Sequence, residues 1–205
     1  MLTSLHIQAT DVGKKFYGRW LFRNISHDSA EAHRLALIGK NGSGKSTLMR
    51  ILAGQMSPSE GKLAYLLNGT SLPANQWYQL ISWSGPQIDL YPDLTLSEHI
   101  RLHFRFRDCL LPASQELIEL LRLRPHANKS LRYYSSGMLQ RVQVGLALFT
   151  QSHVLMLDEP TSHMDEENAR LMLELVETYL GDRLFILASN LEREYQSIPS
   201  RIHLR

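Results

Sequence analysis

The sequence predicts an α/β fold: a mostly parallel sheet, with an antiparallel β subdomain added at the N-terminal end and a helical insertion in the middle of the chain. Three observations carry this. Short apolar runs alternate with segments of helical periodicity, the rhythm of strand and helix in a parallel sheet. The strand-like runs before Gly39 have no helix between them, which marks an antiparallel addition. Residues from about 95 to 136 carry helical patterns and no strand, which marks an insertion.

In chain order, strands are expected at Ser4 to Val12, Trp20 to Ser26, His33 to Gly39, Lys62 to Asn68, Leu80 to Ser84, His153 to Asp158, Arg183 to Ser189 and Arg201 to Leu204. Helices are expected at Ser46 to Ala53, Leu96 to Phe106, Ser114 to Leu123, Gly137 to Thr150 and Glu166 to Leu180. Thr95 and Glu98 have capping-box spacing: the Thr95 hydroxyl accepts from the third helical N–H while Glu98 reaches back. With 205 residues, one domain spanning 1–205 is the simplest organisation.

Composition narrows the function. A hydrophobic share of 43% and a charged share of 20% are those of a folded globular chain. A formal charge of +2 is too small to imply nucleic-acid binding. The lone Cys109 excludes an internal disulfide and a cysteine-based metal site, which favours a cytoplasmic setting. No apolar run reaches the length of a membrane span or a signal peptide, so the chain is not expected to cross a membrane by itself.

The chemistry concentrates in GKNGSGKS, residues 39–46, which satisfies G-x-x-x-x-G-K-[ST] after an apolar strand and before a helix. This makes the core that of a P-loop NTPase. Gly39, Gly42 and Gly44 let the backbone curl so that N–H groups of the loop, through Lys40, Asn41 and Ser43, face one point at a helix N-terminus. Lys45 meets the β and γ phosphates of a nucleotide, the Ser46 hydroxyl can ligate Mg²⁺, and Thr47 opens the helix. A second apolar strand, VLMLDEP, ends in Asp158, placed to hold Mg²⁺. Glu159, the next residue, can orient or deprotonate the attacking water.

YSSGMLQRVQVGLAL, residues 134–148, resembles the signature motif of ATP-binding-cassette (ABC) ATPases. It departs from the commonest form, with Ser136 where the first glycine stands and Met138 where glutamine is commonest. The resemblance covers essentially the whole chain, from Phe16 to Asn190, so no regulatory domain, second cassette or membrane part is expected within it. It implies that Ser135 and Gly137 complete an ATP site on a second subunit, so that two cassettes pair head to tail, as a homodimer or heterodimer, around two ATP molecules. It implies that Gln87 is the loop glutamine touching Mg²⁺ or water, and that Asp165 lies in a loop crossing the dimer interface. Phe16 or Tyr17 stands where the family stacks an aromatic ring on adenine.

The resemblance also implies ATP hydrolysis that powers a transporter made of separate membrane-spanning subunits. The short length is similar to that of compact members such as the haem-exporter ATPase of cytochrome c maturation. The alternatives are a soluble cassette acting in assembly and a slow ATP-dependent switch. The switch reading comes from Asn190, which follows the strand RLFILAS where the family has a histidine contacting the γ phosphate. An amide donates a hydrogen bond but carries neither the proton nor the charge of an imidazolium, so slow turnover without a histidine step in its pH profile is expected. Asn190 is equally suited to cap the following helix, LEREY. In HIRLHFRFRD, residues 99–108, a solvated helix face is expected, with Ile100, Leu102 and Phe104 partly packed.

Overall fold

The computed structural model describes residues 5–86, 89–111 and 114–205. Its strands are β1 (Leu5–Phe16), β2 (Arg19–Asp28), β3 (Arg34–Ile38), β4 (Glu60–Leu67), β5 (Thr70–Ser71), β6 (Ile81–Ser84), β7 (Val154–Asp158), β8 (Leu184–Ser189) and β9 (Ser200–His203). Its helices are α1 (Lys45–Leu52), α2 (Trp77–Leu80), α3 (Leu96–His103), α4 (Ser114–Leu120), α5 (Ser136–Phe149), α6 (Glu166–Tyr179) and α7 (Glu192–Tyr195). The chain forms two compact units: one of residues up to Ile81 with Ser152–Asp158 and Arg183–Arg205, the other of Ser82–Gln151 with Glu159–Asp182. β6 runs out of the first unit into the second.

The first unit holds an antiparallel sheet in the order β2-β1-β4-β5. Leu5, Ile7 and Ala9 of β1 point inward and alternate with less buried His6, Gln8 and Thr10. The alternation fails at Asp11, whose φ is 48°, and the register with β2 shifts there and again on either side of Lys14. Apolar periodicity therefore stops at Val12, while the strand continues through these bulges to Phe16. The antiparallel addition is also not confined to the run before Gly39. β4, from beyond α1, pairs with β1 between Leu5↔Leu67 and Gly13↔Glu60, whereas β3 is a parallel strand.

The same unit aligns β7, β8, β3 and β9 side by side and parallel. Their side chains are buried on both faces in β7 and β8, which is why these strands read as unbroken apolar runs. The register sets Ser189, Ile38 and His203 in one row across β8, β3 and β9, and Asp158 opposite Ala188. All four strands thus end on one edge, where ligands bind in sheets of this kind. Leu48, Met49, Ile51 and Leu52 of α1 are buried, so the helix is held by its apolar side while its first residue stays at that edge.

The second unit is mainly helical. α3 starts with the complete capping box: Glu98 N–H donates to Thr95 Oγ1 at 3.2 Å and Thr95 N–H to Glu98 Oε2 at 2.9 Å. A carboxylate so bonded is held below its ordinary pKa, chiefly by the Thr95 N–H and then by the Thr95 hydroxyl. His99 is buried rather than on a solvated face, beside Ile100 and with the Tyr91 ring 5.8 Å away. His103 Nε2 lies 2.9 Å from Thr150 Oγ1. The single hydroxyl proton of Thr150 goes to the Leu146 carbonyl, so Nε2 carries a proton and donates to Thr150 Oγ1. α5 closely approaches the residue that follows α4: a Cβ on Gly145 would lie 2.8 Å from Leu121 carbons.

Candidate nucleotide site

The first unit carries the phosphate loop. The chain turns at Gly39, Gly42 and Gly44, with φ of 156°, 82° and 101°, the last two in the left-handed region that glycine enters at least cost. Gly39 lies so close to the end of β9 that a Cβ there would come 2.3 Å from the Leu204 carbonyl. At Gly42, by contrast, a Cβ would meet nothing within 4 Å. The crest of the loop is open while its base is clamped.

Lys45 is buried to 4% exposure, and its Nζ donates to the Gly39 carbonyl at 3.0 Å and the Lys40 carbonyl at 3.2 Å. The ammonium therefore ties the loop into a ring around itself. The Ser43 hydroxyl is buried with no hydrogen-bond partner among the described residues. A buried hydroxyl costs free energy until an acceptor is supplied. An orphan O–H, a buried ammonium and loop N–H groups before α1 form a donor set that fits a polyphosphate. Asp158 ends β7 at 3% exposure, in the same unit, and is a hard oxygen donor of the kind a magnesium ion takes. Ser46, the first residue after Lys45 in α1, offers the second such oxygen.

Asn190 follows β8 at the same edge. Its Nδ2 donates to Asn41 Oδ1 at 3.0 Å, joining the strand end to the phosphate loop across 149 residues of sequence. It does not cap α7. Leu191 takes the N-cap position with no side-chain bond, and the Leu191 N–H is met by Ser189 Oγ at 2.9 Å. Ser189 Oγ also donates to the buried Glu194 carboxylate. The bend after β8 is closed by serine and glutamate, which leaves the Asn190 amide directed to the loop.

Phe16 ends β1 at 43% exposure with Lys14 Nζ 5.3 Å from its ring centre. Tyr17 is fully exposed at the hairpin tip, with φ of 49°. Sequence reasoning passed over Trp20, whose ring has Arg23 at 4.1 Å and Lys15 at 5.3 Å. Gln87 lies outside the described residues.

The second unit holds Glu159, Ser135, Gly137 and Asp165. Ser135 caps α5 by accepting from Met138 N–H at 3.2 Å, and Asp165 caps α6 by accepting from Asn168 N–H at 2.8 Å. The Asn168 bonds hold the Asp165 carboxyl below its ordinary pKa. Gly137 abuts the turn before Asp165: a Cβ there would lie 2.7 Å from the His163 carbonyl. Glu159 has φ of 50°, a left-handed conformation that costs a non-glycine residue roughly 1–2 kcal/mol.

Gln140, which sequence reasoning missed as a functional residue, organises this turn. Its Nε2 donates to the Glu159 carbonyl and to Ser162 Oγ at 3.2 Å, while its Oε1 accepts from His163 N–H at 3.0 Å. One amide, 9% exposed, thus spans both the strained residue and the loop before Asp165. Its only signal in the sequence is a polar residue on the apolar side of α5.

Residues 22–162 match the family described as ABC transporter. The chain belongs to that family. Among curated relatives, a mouse (Mus musculus) protein named ATP-binding cassette sub-family A member 17 is 30% identical over 96% of this chain, which spans 12% of the relative. A Fusobacterium nucleatum protein named spermidine/putrescine import ATP-binding protein PotA is 29% identical over 96% of this chain, which spans 54% of it. The ABC fold is shared with a solved dimeric ATP-binding cassette in a post-hydrolysis state bound to ADP and Pi: TM-score 0.79, 20% identity, 97% of this chain and 94% of that one. No helix among the described residues of this ABC chain is long and apolar enough to cross a membrane.

Proposed function

We propose that this chain binds ATP with Mg²⁺, hydrolyses it to ADP and phosphate, and as one of a pair of cassettes drives a transporter whose membrane-spanning subunits are separate chains. The observation that carries this reading is the phosphate loop: an open crest, a buried ring-closing Lys45 and an orphan Ser43 hydroxyl, at the strand edge where Asp158 ends. Membership of the ABC transporter family supports the transport half.

In this mechanism Lys45 neutralises the β and γ phosphates, and the loop N–H groups with Ser43 Oγ hold their oxygens. Ser46, Asp158 and Gln87 would hold the magnesium ion, which supplies Lewis-acid stabilisation of charge on the phosphates. Glu159 orients the attacking water and accepts its proton. Its left-handed backbone supports this role, because strain of that kind persists where surrounding bonds over-determine it. Ser135 and Gly137 would complete the site of the partner cassette, and Asp165 would lie at the shared interface. Phe16 is the better stacking surface for adenine, being held at the end of β1, whereas Tyr17 stands fully in solvent. Asn190 spends one of its N–H bonds on Asn41, which makes turnover slower than a histidine there would allow. The setting is the cytoplasmic face of a membrane, reached through the partner subunits.

The test is ATP turnover by wild type beside Lys45→Ala, Glu159→Gln and Asn190→His, combined with detergent extraction to find what co-purifies. The reading expects slow turnover above the Glu159→Gln background, loss of ATP binding in Lys45→Ala, and an apolar multi-span partner. Wild-type turnover no higher than Glu159→Gln, with the co-purified partner present, refutes hydrolysis. Exclusively soluble partners refute transport.

A further inference from the structure

Beside the first turn of the phosphate loop lies a pocket of about 590 Å³ that includes Gly39, Lys40, Asn41, Asn190, Tyr195 and His203 in its lining. Among the described residues that line it, His203 is the one imidazole and none is a carboxylate. Two features fix the backbone at His203 relative to the loop. Ile38, the residue before Gly39, is in register with Ser189 on one side and His203 on the other. Leu204 N–H then donates to the Ile38 carbonyl at 2.8 Å, and the Leu204 carbonyl lies against Gly39. The end of β9 and the start of the loop are therefore one rigid piece, with Asn190 and His203 flanking it from neighbouring strands.

We propose that His203 is a further residue of the nucleotide site, the group whose protonation is coupled to nucleotide binding. Histidine changes charge between about pH 5 and 8, which an amide does not. The charged and titratable groups that share the pocket lining with His203 are Lys40 from the loop after β3 and Tyr195 from α7, while Arg201 and Arg205 lie on its own segment. Arg201 is engaged with the carbonyls of Ile198 and Gln196 and with the Tyr195 ring. The carboxylates of α7, Glu192 and Glu194, do not line the pocket. Phosphates held by the loop would bring negative charge beside the ring, so binding draws a proton onto His203 and is tighter when the proton is present. Asn190 provides a fixed hydrogen bond beside the loop, and His203 provides the charge.

This inference rests on the proposed binding of ATP, and the experiment separates the two. ATP binding is measured calorimetrically between pH 6 and 8, in buffers of different ionisation enthalpy, for wild type, His203→Gln and His203→Arg. His203 is exposed, so neither substitution disturbs the core. Subtracting His203→Gln removes the ionisation of the nucleotide itself. Wild-type affinity is expected to fall roughly three- to tenfold more than that of His203→Gln across this range, with extra proton uptake at the acidic end. His203→Arg should stay tight, with no more pH dependence than His203→Gln. Binding by all three proteins with one shared pH dependence overturns the role of His203 alone. No ATP binding by wild type overturns the proposed function and this inference with it.

Discussion

Replacing Gln140 with leucine tests whether one amide holds the turn that carries Glu159. The substitution keeps the approximate volume and the helix propensity of α5 but removes the hydrogen bonds to Glu159, Ser162 and His163. His163 N–H loses its acceptor, at a cost of about 1–3 kcal/mol, and the two bonds from Nε2 contribute roughly 0.5–1.5 kcal/mol each. Leucine recovers part of this through apolar contact, so the expected loss of stability is about 2–4 kcal/mol, read as a lower denaturant midpoint at unchanged slope. The same bonds oppose relaxation of Glu159 from its left-handed backbone, a strain of roughly 1–2 kcal/mol. If that strain keeps the carboxylate aimed, its release lowers turnover of the folded protein by roughly five- to thirtyfold. Gln140→Glu provides a contrast, since it keeps the acceptor for His163 N–H but sets a carboxylate oxygen against the Glu159 carbonyl. The assay is urea unfolding together with ATP turnover at a temperature where both variants are folded. A Gln140→Leu protein within 0.5 kcal/mol of wild type, with turnover within about twofold, would refute the reasoning.

The buried helical unit predicts a pH-dependent stability. Burial, with His99 and Arg107 adding to it, pushes the His103 pKa from 6.5 down to about 4. The unfolded chain then binds the proton more readily, so this contribution is fully present above pH 6.5 and is lost as pH falls through about 4. The ring is partly exposed, which limits the effect to about 1–2 kcal/mol; His103→Gln, which still donates to Thr150, should flatten the stability profile between pH 6.5 and 4. A profile equally steep in the variant removes His103 as the cause. At the loop, Gly39→Ala forces a methyl against the Leu204 carbonyl and Ser43 Oγ, positions 2.3 and 2.6 Å away. It should cost about 1–3 kcal/mol in stability and weaken ATP binding at least tenfold by shifting the loop, as thermal melts and a binding titration would show.

The element order was legible in the sequence because each strand and helix here announces itself locally. β7 and β8 are apolar without interruption, α6 follows a capping aspartate, and α3 follows a complete capping box. The phosphate loop was legible for the same reason: its glycines, lysine and serine lie within eight consecutive residues, and a short motif encodes its own backbone path. The Asp165 cap is equally local, its partner Asn168 lying three residues on. At Asn190 the sequence leaves a cap and a phosphate-side contact equally open, since both use the same residue type, and the fold gives the amide to Asn41.

What depended on the fold is what joins distant segments. Asn190 meets Asn41, Gln140 clamps Glu159 and His163, and His203 stands beside Gly39 only because β9 pairs with β3. Nor could periodicity report that β4 returns to β1 or that β3 leaves the antiparallel sheet, because strands that pair in either sense carry similar apolar patterns. Local hydrogen bonding and side-chain alternation are written along the chain. Register between strands is a choice among long-range pairings, made by burying the apolar surface of all of them at once, and that sum exists only in the folded protein.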